Sequence, residues 1–342
     1  MREPRSAPAR AAAVLEILLG LGGLTLLGWM IHRIGLSLLW SNLSHFGLMP
    51  TLFLAAVYSL AQVFFCLAWL WVVDPFGAVG FGRLFAAYLA GDALNMTVPS
   101  GNLAGEPVKV MLLGGALPME SAVTSVTVYK FADFVSMTLF LLMGWAAHFF
   151  FYSLPVSWNV GAGIVVGGMG AVSAFLFMVQ KRGFFHPAGK WLGKAAIFEA
   201  WIEKKLDSAH SVDRGIRDFY AHHPRRFALS VLFNLIAWFG GVLEIALFMK
   251  LAGLQTSLAA AMTIETFSLF INNVAFFVPA RLGVGEGGRV LLFLTLGYTP
   301  QAGLSYGIIR RIRESAWVGI GFLILLFMRK RRGPHKNPSD LS

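Results

Sequence analysis

Cysteine and charged residues are both scarce in this sequence. The single cysteine among 342 residues, Cys66, excludes an intrachain disulfide framework and any metal site built from several thiolates. Charged residues make up 13% of the chain, whereas a soluble domain has about 25%. The HExxH, GxSxG, P-loop and CxxC patterns are also missing. These absences argue against a soluble domain and against the common hydrolase and nucleotide-driven enzymes, and we expect neither enzymatic activity nor a cofactor or metal.

Apolar residues are abundant instead. They make up 57% of the chain, and the mean hydropathy is +0.68. A helix that crosses the bilayer needs about 20 mostly apolar residues, because each residue rises about 1.5 Å through a core about 30 Å thick. The sequence therefore predicts an all-α polytopic membrane protein with about six transmembrane helices. The predicted spans are 14–34, 48–73, 120–152, 158–180, 226–250 and 301–328.

Basic residues give the chain a net charge of +11 and lie in three clusters beside the spans. The clusters are the N-terminal arm, a connector at 181–225 and the tail at 329–342. Such clusters are typical of cytoplasmic segments that face anionic lipid, so we expect no nucleic-acid partner. Six crossings place all three clusters on one side, with both termini cytoplasmic. The connector is predicted to lie on the cytoplasmic leaflet; a docking surface for another protein is the alternative.

Two further apolar segments, 81–117 and 258–297, do not fit as simple spans. Each has an apolar arm, a break rich in proline and glycine, and a second apolar arm of roughly 14 residues, which would extend about 21 Å. Broken helices are tolerated at membrane depth where they are buried in protein or line a cavity. We therefore predict two re-entrant helical hairpins.

The two segments are copies of one motif, PxxxxxGE followed by a basic residue. The motif begins at Pro99 in the first copy and at Pro279 in the second, an offset of 180 positions. The same offset pairs Lys130 with Arg310 and predicts two repeats, 46–152 and 226–328, with Asp92 opposite Asn272. In the six-crossing topology, span 48–73 runs towards the cytoplasm and span 226–250 runs away from it, so the copies are inverted. Inverted repeats recur in secondary transporters, with the substrate site at the repeat interface.

The polar residues of the hairpins are the candidate site. Glu106 with Lys109, and Glu286 with Arg289, have the i,i+3 spacing of helical ion pairs, which would either pin the hairpins or contact substrate. Arg311 is expected to extend to the membrane surface, whereas Glu244 and Glu265 have no partner nearby in sequence. The predicted substrate-binding residues, with a basic excess suited to an anionic or polyol headgroup, are Asp92, Asn95, Glu106, Lys109, Lys130, Asn273, Arg281, Glu286, Arg289 and Arg310.

Both motif copies, at 95–109 and at 279–289, resemble the flippase-like membrane domain of the lysylphosphatidylglycerol synthase family, and the likeness covers roughly 14–328. The resemblance implies a bacterial inner-membrane protein that handles lipids at two central re-entrant hairpins. It also implies that Glu106, Lys109, Lys130, Glu286, Arg289 and Arg310 belong to the site. We expect a stand-alone member without the soluble synthetase domain. The residue sequence of the first motif is similar to that of a hopanoid-associated branch of the family.

These observations lead to one main hypothesis and two alternatives. The main hypothesis is translocation of an amphiphilic lipid between leaflets, with a membrane lipid as substrate. The first alternative is an intramembrane lipid-modifying enzyme, in which Glu106 or Glu286 acts as a general base. The second is a scaffold that binds lipid-biosynthesis enzymes.

Overall fold

The computed structural model describes residues 46–100, 102–151, 156–182, 199–275 and 283–327, together with isolated helical positions between 21 and 44. Most of the predicted span 14–34 and the whole tail 329–342 lie outside these residues. The described residues form ten α-helices and no strand. The helices are α1 (Leu48–Val73), α2 (Phe81–Thr97), α3 (Glu106–Leu113), α4 (Met119–Phe151), α5 (Val156–Arg182), α6 (Glu199–His222), α7 (Pro224–Leu251), α8 (Leu258–Val274), α9 (Val284–Thr295) and α10 (Pro300–Phe327).

Four of these helices are long and apolar enough to cross a membrane. They are α1 with the turn that follows it, α4, α5 and α7, and each coincides with a predicted span. Helix α10 is also long enough, at 28 residues, but it carries Arg310, Arg311, Arg313 and Glu314 in its middle. The prediction of an all-α polytopic membrane protein is confirmed, and its last predicted span is more highly charged than the others.

Both re-entrant segments form two helices separated by a break. Helix α2 ends before Val98, which is extended because Pro99 disfavours the helical conformation in the residue before it. Helix α3 begins with Pro107 in its first turn, a position where the missing N–H costs nothing. It has only 8 residues, shorter than predicted, because Gly114 and Gly115 (φ 81°) end it. In the second hairpin, α8 ends at Val274 and α9 begins after Gly283, whose φ is 78°.

The interior consists of two separate apolar cores. The first core contains the hairpin α2–α3 and residues of α6 such as Ile216 and Phe219. The second core contains the hairpin α8–α9 and residues of α5 such as Val166. Each of α1, α4, α7 and α10 contributes one end to the first core and the other end to the second. The hairpins therefore occupy opposite ends of one bundle.

The direction of each long helix follows from the end that it places in each core. Helix α1 runs from the second core, at Leu54, to the first core, at Val72. Helix α7, which begins the second repeat, runs from the first core, at Ala237, to the second core, at Phe248. The helices that begin the two repeats thus point in opposite directions, as an inverted repeat requires.

The two repeats interlock, because each hairpin packs against a long helix of the other repeat. Helix α10 approaches α2 so closely at Gly321 that an added Cβ would lie 2.7 Å from Ala93 Cβ. In the matching contact, Gly144 of α4 leaves space for Thr266 of α8, where an added Cβ would lie 2.8 Å from the threonine Cβ. Small residues allow such close helix approaches in membrane proteins. Movement of one hairpin would therefore disturb the opposite repeat.

Candidate functional site at the centre of the bundle

Charged side chains are concentrated where the two apolar cores meet. On α4, Lys130 and Asp133 lie between Tyr129 of the first core and Phe140 of the second. On α10, the charged run 310–314 lies between Ile309 of the second core and Val318 of the first. We call this region the ionic layer. A charged side chain at the bilayer centre costs at least about 2.5–3.5 kcal/mol, so such residues are retained mainly for function.

The first ionic cluster surrounds Glu106 at the start of α3. Its Oε1 accepts hydrogen bonds from Lys109 Nζ at 3.1 Å and from Asn95 Nδ2 at 3.0 Å, and Lys130 Nζ lies 3.9 Å away. Asn95 Oδ1 accepts from the Gly105 N–H at 2.7 Å, which ties α2 to the break. Glu106 Oε2 is buried without a hydrogen-bond partner. The predicted Glu106–Lys109 pair therefore forms, and it leaves one carboxylate oxygen available.

Lys109 is held in an aromatic cage. Its Nζ lies 5.4 Å from the ring centres of Tyr88 and Tyr129 and 6.0 Å from that of Trp69. A cation over such rings gains about 0.5–2 kcal/mol per contact, most where water is excluded. The Tyr88 hydroxyl donates to Gln62 Oε1 at 2.9 Å, so a residue of α1 holds the Tyr88 ring of the cage in position. The cage holds the buried Lys109 side chain in place.

The remaining charges of the first cluster lie on α2 and α4. Lys130 Nζ forms an ion pair with Asp133 Oδ2 at 3.2 Å, one turn further along α4. Asp92 is half-buried and shares a face of α2 with Asn95. No ion pair or hydrogen bond joins Asp92 to another described residue, although Lys109 and Lys130 act on it electrostatically. The predicted residues of the first hairpin and of α4 are therefore brought together.

The second cluster differs from its prediction. Glu286 was expected to pair with Arg289, but its Oε1 lies 2.6 Å from Arg311 Nη2, and its Oε2 accepts from the Gly283 N–H at 2.9 Å. The hydrogen bond from Gly283 holds the Glu286 carboxylate towards the N-terminus of α9. The carboxylate therefore points away from the following turn, where Arg289 lies. Arg289 is 2% exposed, its Nε has no partner, and no carboxylate of the described residues lies within salt-bridge distance of it.

The prediction for Arg311 is also wrong, because its side chain is buried and does not extend to the membrane surface. It bonds Glu286 and, at 3.4 Å, Glu314. In the first cluster, Lys130 contacts Glu106 and Asp133 in the same way. Arg311 is therefore the counterpart of Lys130, one residue away from the Arg310 that the gapless offset selected.

Arg310 and Arg313 neutralise the two glutamates that had no partner nearby in sequence. Arg310 forms an ion pair with Glu265 of α8 and donates to Glu314 at 3.1 Å. Arg313 lies 2.6 Å from Glu244 of α7, and its guanidinium covers the Tyr58 ring at 3.3 Å. Glu244, Glu265, Arg313 and Glu314 thus join the ionic layer, although they are not among the substrate-binding residues predicted from the sequence. Their polar positions inside apolar spans were the signal, but the pairings join distant helices.

One predicted residue lies away from the ionic layer, another falls outside the described residues, and the alignment of the two hairpins differs from the gapless offset. Asn273 donates to the Leu269 carbonyl at 2.9 Å on its own helix and takes no part in the ion pairs. Asn272 Oδ1 instead lies beside Gly285, where an added Cβ would be 3.5 Å away. Asn272 therefore matches Asn95, not Asp92, because Asn272 lies three positions further from Gly285 in sequence than Asn95 lies from Gly105. Arg281 lies outside the described residues.

The predicted basic excess is absent from the described part of the ionic layer. The second cluster contains four arginines and four glutamates, and the first contains two lysines and three carboxylates. These residues are Arg289, Arg310, Arg311 and Arg313 with Glu244, Glu265, Glu286 and Glu314, and Lys109 and Lys130 with Asp92, Glu106 and Asp133. The described part of the ionic layer is therefore close to charge balance.

Comparison with known families supports this architecture. Residues 13–322 match the family described as the lysylphosphatidylglycerol synthase TM region. Comparison with curated proteins and with solved structures gave no match. The matched range includes both hairpins and every residue of the ionic layer. The chain therefore belongs to the family of the lysylphosphatidylglycerol synthase transmembrane region, and membership implies a lipid-related role in the membrane.

Proposed function

We propose that this protein translocates an amphiphilic lipid between the leaflets of the bacterial inner membrane. The observation that carries the proposal is the ionic layer between two apolar cores, each of which contains one of the two hairpins. A polar headgroup could exchange hydrogen bonds there while its apolar chains stay in the lipid. Uncompensated burial of so many charges would be costly, and a transport site gives a reason for retaining them.

The proposed headgroup contacts are those ionic-layer groups that are least satisfied by the protein itself. They are Glu106 Oε2, which has no hydrogen-bond partner, the unpaired carboxylate of Asp92, and the guanidinium of Arg289. A polyol or zwitterionic headgroup offers hydrogen-bond donors to the first two groups and acceptors to the third. A hopanoid with a polar side chain and a glycolipid are therefore suitable first candidates for testing.

Leaflet exchange in proteoliposomes tests the proposal. Fluorescent lipid analogues in the inner leaflet become accessible to an external quencher only if they cross, and we expect the protein to accelerate this crossing. The double variant Glu106→Gln/Glu286→Gln should reduce exchange to the rate of protein-free liposomes, because both hairpin ion pairs lose a charge. Asp74→Asn, which removes the surface pair with Arg226, is the matched control and should exchange like the wild type.

The two glutamates are not equivalent, and this asymmetry favours one alternative enough to test it. Both oxygens of Glu286 are engaged, whereas Glu106 keeps one free oxygen, as a general base requires. A lipid-modifying enzyme would yield chemically altered lipid and would depend on Glu106 alone. Mass spectrometry of the lipids after the exchange assay separates the two functions. Altered lipid without exchange would refute translocation.

A further inference from the structure

The two clusters of the ionic layer differ in their ability to release protons. The cations of the second cluster are all guanidinium groups, which keep their proton at any physiological pH. Each glutamate of that cluster forms an ion pair with at least one of these arginines and therefore has a permanent counter-charge. The first cluster uses lysine and has one carboxylate more than it has cations. If every group of the first cluster were ionised, it would carry a net charge of −1.

Asp92 is the carboxylate in excess. Lys109 is engaged by Glu106 and by the aromatic cage, and Lys130 is engaged by Asp133. Asp92 forms no ion pair or hydrogen bond with any described residue. An ionised carboxylate in such surroundings costs free energy unless it is paired, hydrated or protonated.

The groups that face Asp92 come from its own helix and from four packed elements. Helix α3 presents Glu106 and Lys109, and α4 presents Lys130 and Asp133. On α2 itself, Tyr88 and Asn95 lie one turn away, and Gln62 of α1 accepts a hydrogen bond from Tyr88. Helix α10 contacts α2 through uncharged groups, Gly321 and Trp317. No third cation from the described residues is therefore at hand to neutralise Asp92.

We propose that the first cluster binds one exchangeable proton at Asp92 and that lipid movement is coupled to the exchange of this proton. The coupling rests on the proposed translocation, whereas the bound proton does not. A hydronium ion transfers its proton to Asp92 Oδ and leaves as water, which makes the cluster neutral. The proton passes back to a water molecule when a headgroup donates hydrogen bonds to Asp92 and to Glu106 Oε2. Lipid and proton then move in opposite directions.

Infrared spectroscopy tests the bound proton without any substrate. The wild-type protein in lipid at neutral pH should show the carbonyl band of a protonated carboxylic acid, shifted on deuteration. Asp92→Asn should remove the band, because two carboxylates then face two lysines. Asp92→Glu should keep it, and the surface variant Asp74→Asn should leave it unchanged. Absence of the band in the wild type, or its persistence in Asp92→Asn, would overturn the proposal.

A pH gradient across proteoliposomes, with the membrane potential clamped to zero, tests the coupling. The wild type should drive the fluorescent lipid away from an equal distribution, with the direction set by the gradient. Asp92→Asn should exchange lipid more slowly, and the final distribution of the lipid between leaflets should not depend on the pH gradient. If the wild type exchanges lipid but the final distribution does not depend on the pH gradient, coupling is refuted and the proposed translocation still stands. No exchange by the wild type would refute the proposed function, while the infrared result would still decide the bound proton.

Discussion

Arg289 is a buried guanidinium that forms no ion pair with a carboxylate of the described residues, so its effect on stability can be separated from its effect on function. A buried unpaired charge costs several kcal/mol, so replacing it with an apolar side chain of similar length removes that cost. We predict that Arg289→Met leaves the thermal stability of the purified protein unchanged or raises it, while lowering lipid exchange. This is the stability–activity trade-off expected of a binding residue.

Arg311→Met is the matched comparison, because Arg311 neutralises Glu286. Removing one partner of a buried ion pair typically costs about 3–5 kcal/mol, so Arg311→Met should lower the melting temperature clearly. Thermal unfolding of both variants in the same detergent provides the measurement. If Arg289→Met proved as destabilising as Arg311→Met, Arg289 would have a structural partner and would not be poised for a ligand.

The pair Glu244–Arg313 supports a further prediction about stability. Both side chains are almost fully buried, and Glu244→Gln would leave Arg313 with the Tyr58 ring and the Glu314 carboxylate, whose Oε1 lies 3.8 Å away, in place of a close ion pair. We expect a loss of about 3–5 kcal/mol in the free energy of unfolding. Asp74→Asn, which breaks the exposed pair with Arg226, should cost less than about 1 kcal/mol. Denaturant titration compares the two, and equal losses would contradict the assignment of Glu244–Arg313 as a buried pair.

Individual pairings show what sequence spacing predicts and what it does not. The spacing i,i+3 predicted Glu106–Lys109 correctly, because nothing else turns the Glu106 carboxylate away. The same spacing predicted the wrong partner for Glu286. Its carboxylate accepts a hydrogen bond from the Gly283 N–H and forms an ion pair with Arg311 of another helix. A capping bond and a partner on a distant element are both invisible to local spacing.

At the scale of helices, the hairpin α2–α3 depends on two glycines that meet at its centre. A Cβ at Gly105 would overlap the backbone of Gly91, including its carbonyl oxygen, and only glycine permits this approach. We predict that Gly105→Ala forces α3 away from α2, breaks the Asn95–Gly105 bond and abolishes lipid exchange. Gly82→Ala is the control, because nothing lies within 4 Å of its added Cβ. That variant should be neutral or more stable by about 0.5–1 kcal/mol. Normal exchange by Gly105→Ala would contradict the close approach.

Helix breaks were easier to predict than helix lengths. Proline and glycine marked both breaks, since each has a defined effect on the backbone. The arm after the first break was predicted to be longer than the 8 residues of α3 because the apolar sequence continues past Leu113. Hydropathy alone cannot show that Gly114 and Gly115 turn the chain there.

For the whole molecule, the repeat offset and the number of spans were enough to predict inversion, whereas the interlocking of the repeats was not. The contacts of α10 with α2 and of α4 with α8 depend on close approaches at Gly321 and Gly144. Such contacts join positions that are distant in sequence. The apolar sequence around them does not indicate which residues of the two helices face each other. The ionic layer has the same origin, because it forms where interlocked helices from both repeats cross.

The predicted topology can be tested with single cysteines, because the native Cys66 is fully buried and should not react. Ser211 on the connector helix α6 and Thr256 in the loop before α8 are both exposed, and α7 lies between them. If α7 crosses the membrane with the connector in the cytoplasm, a membrane-impermeant maleimide should label Thr256→Cys in intact spheroplasts. Ser211→Cys should react only after permeabilisation. The reversed pattern would refute the predicted orientation of the termini, and labelling of both positions in intact cells would show that α7 does not cross.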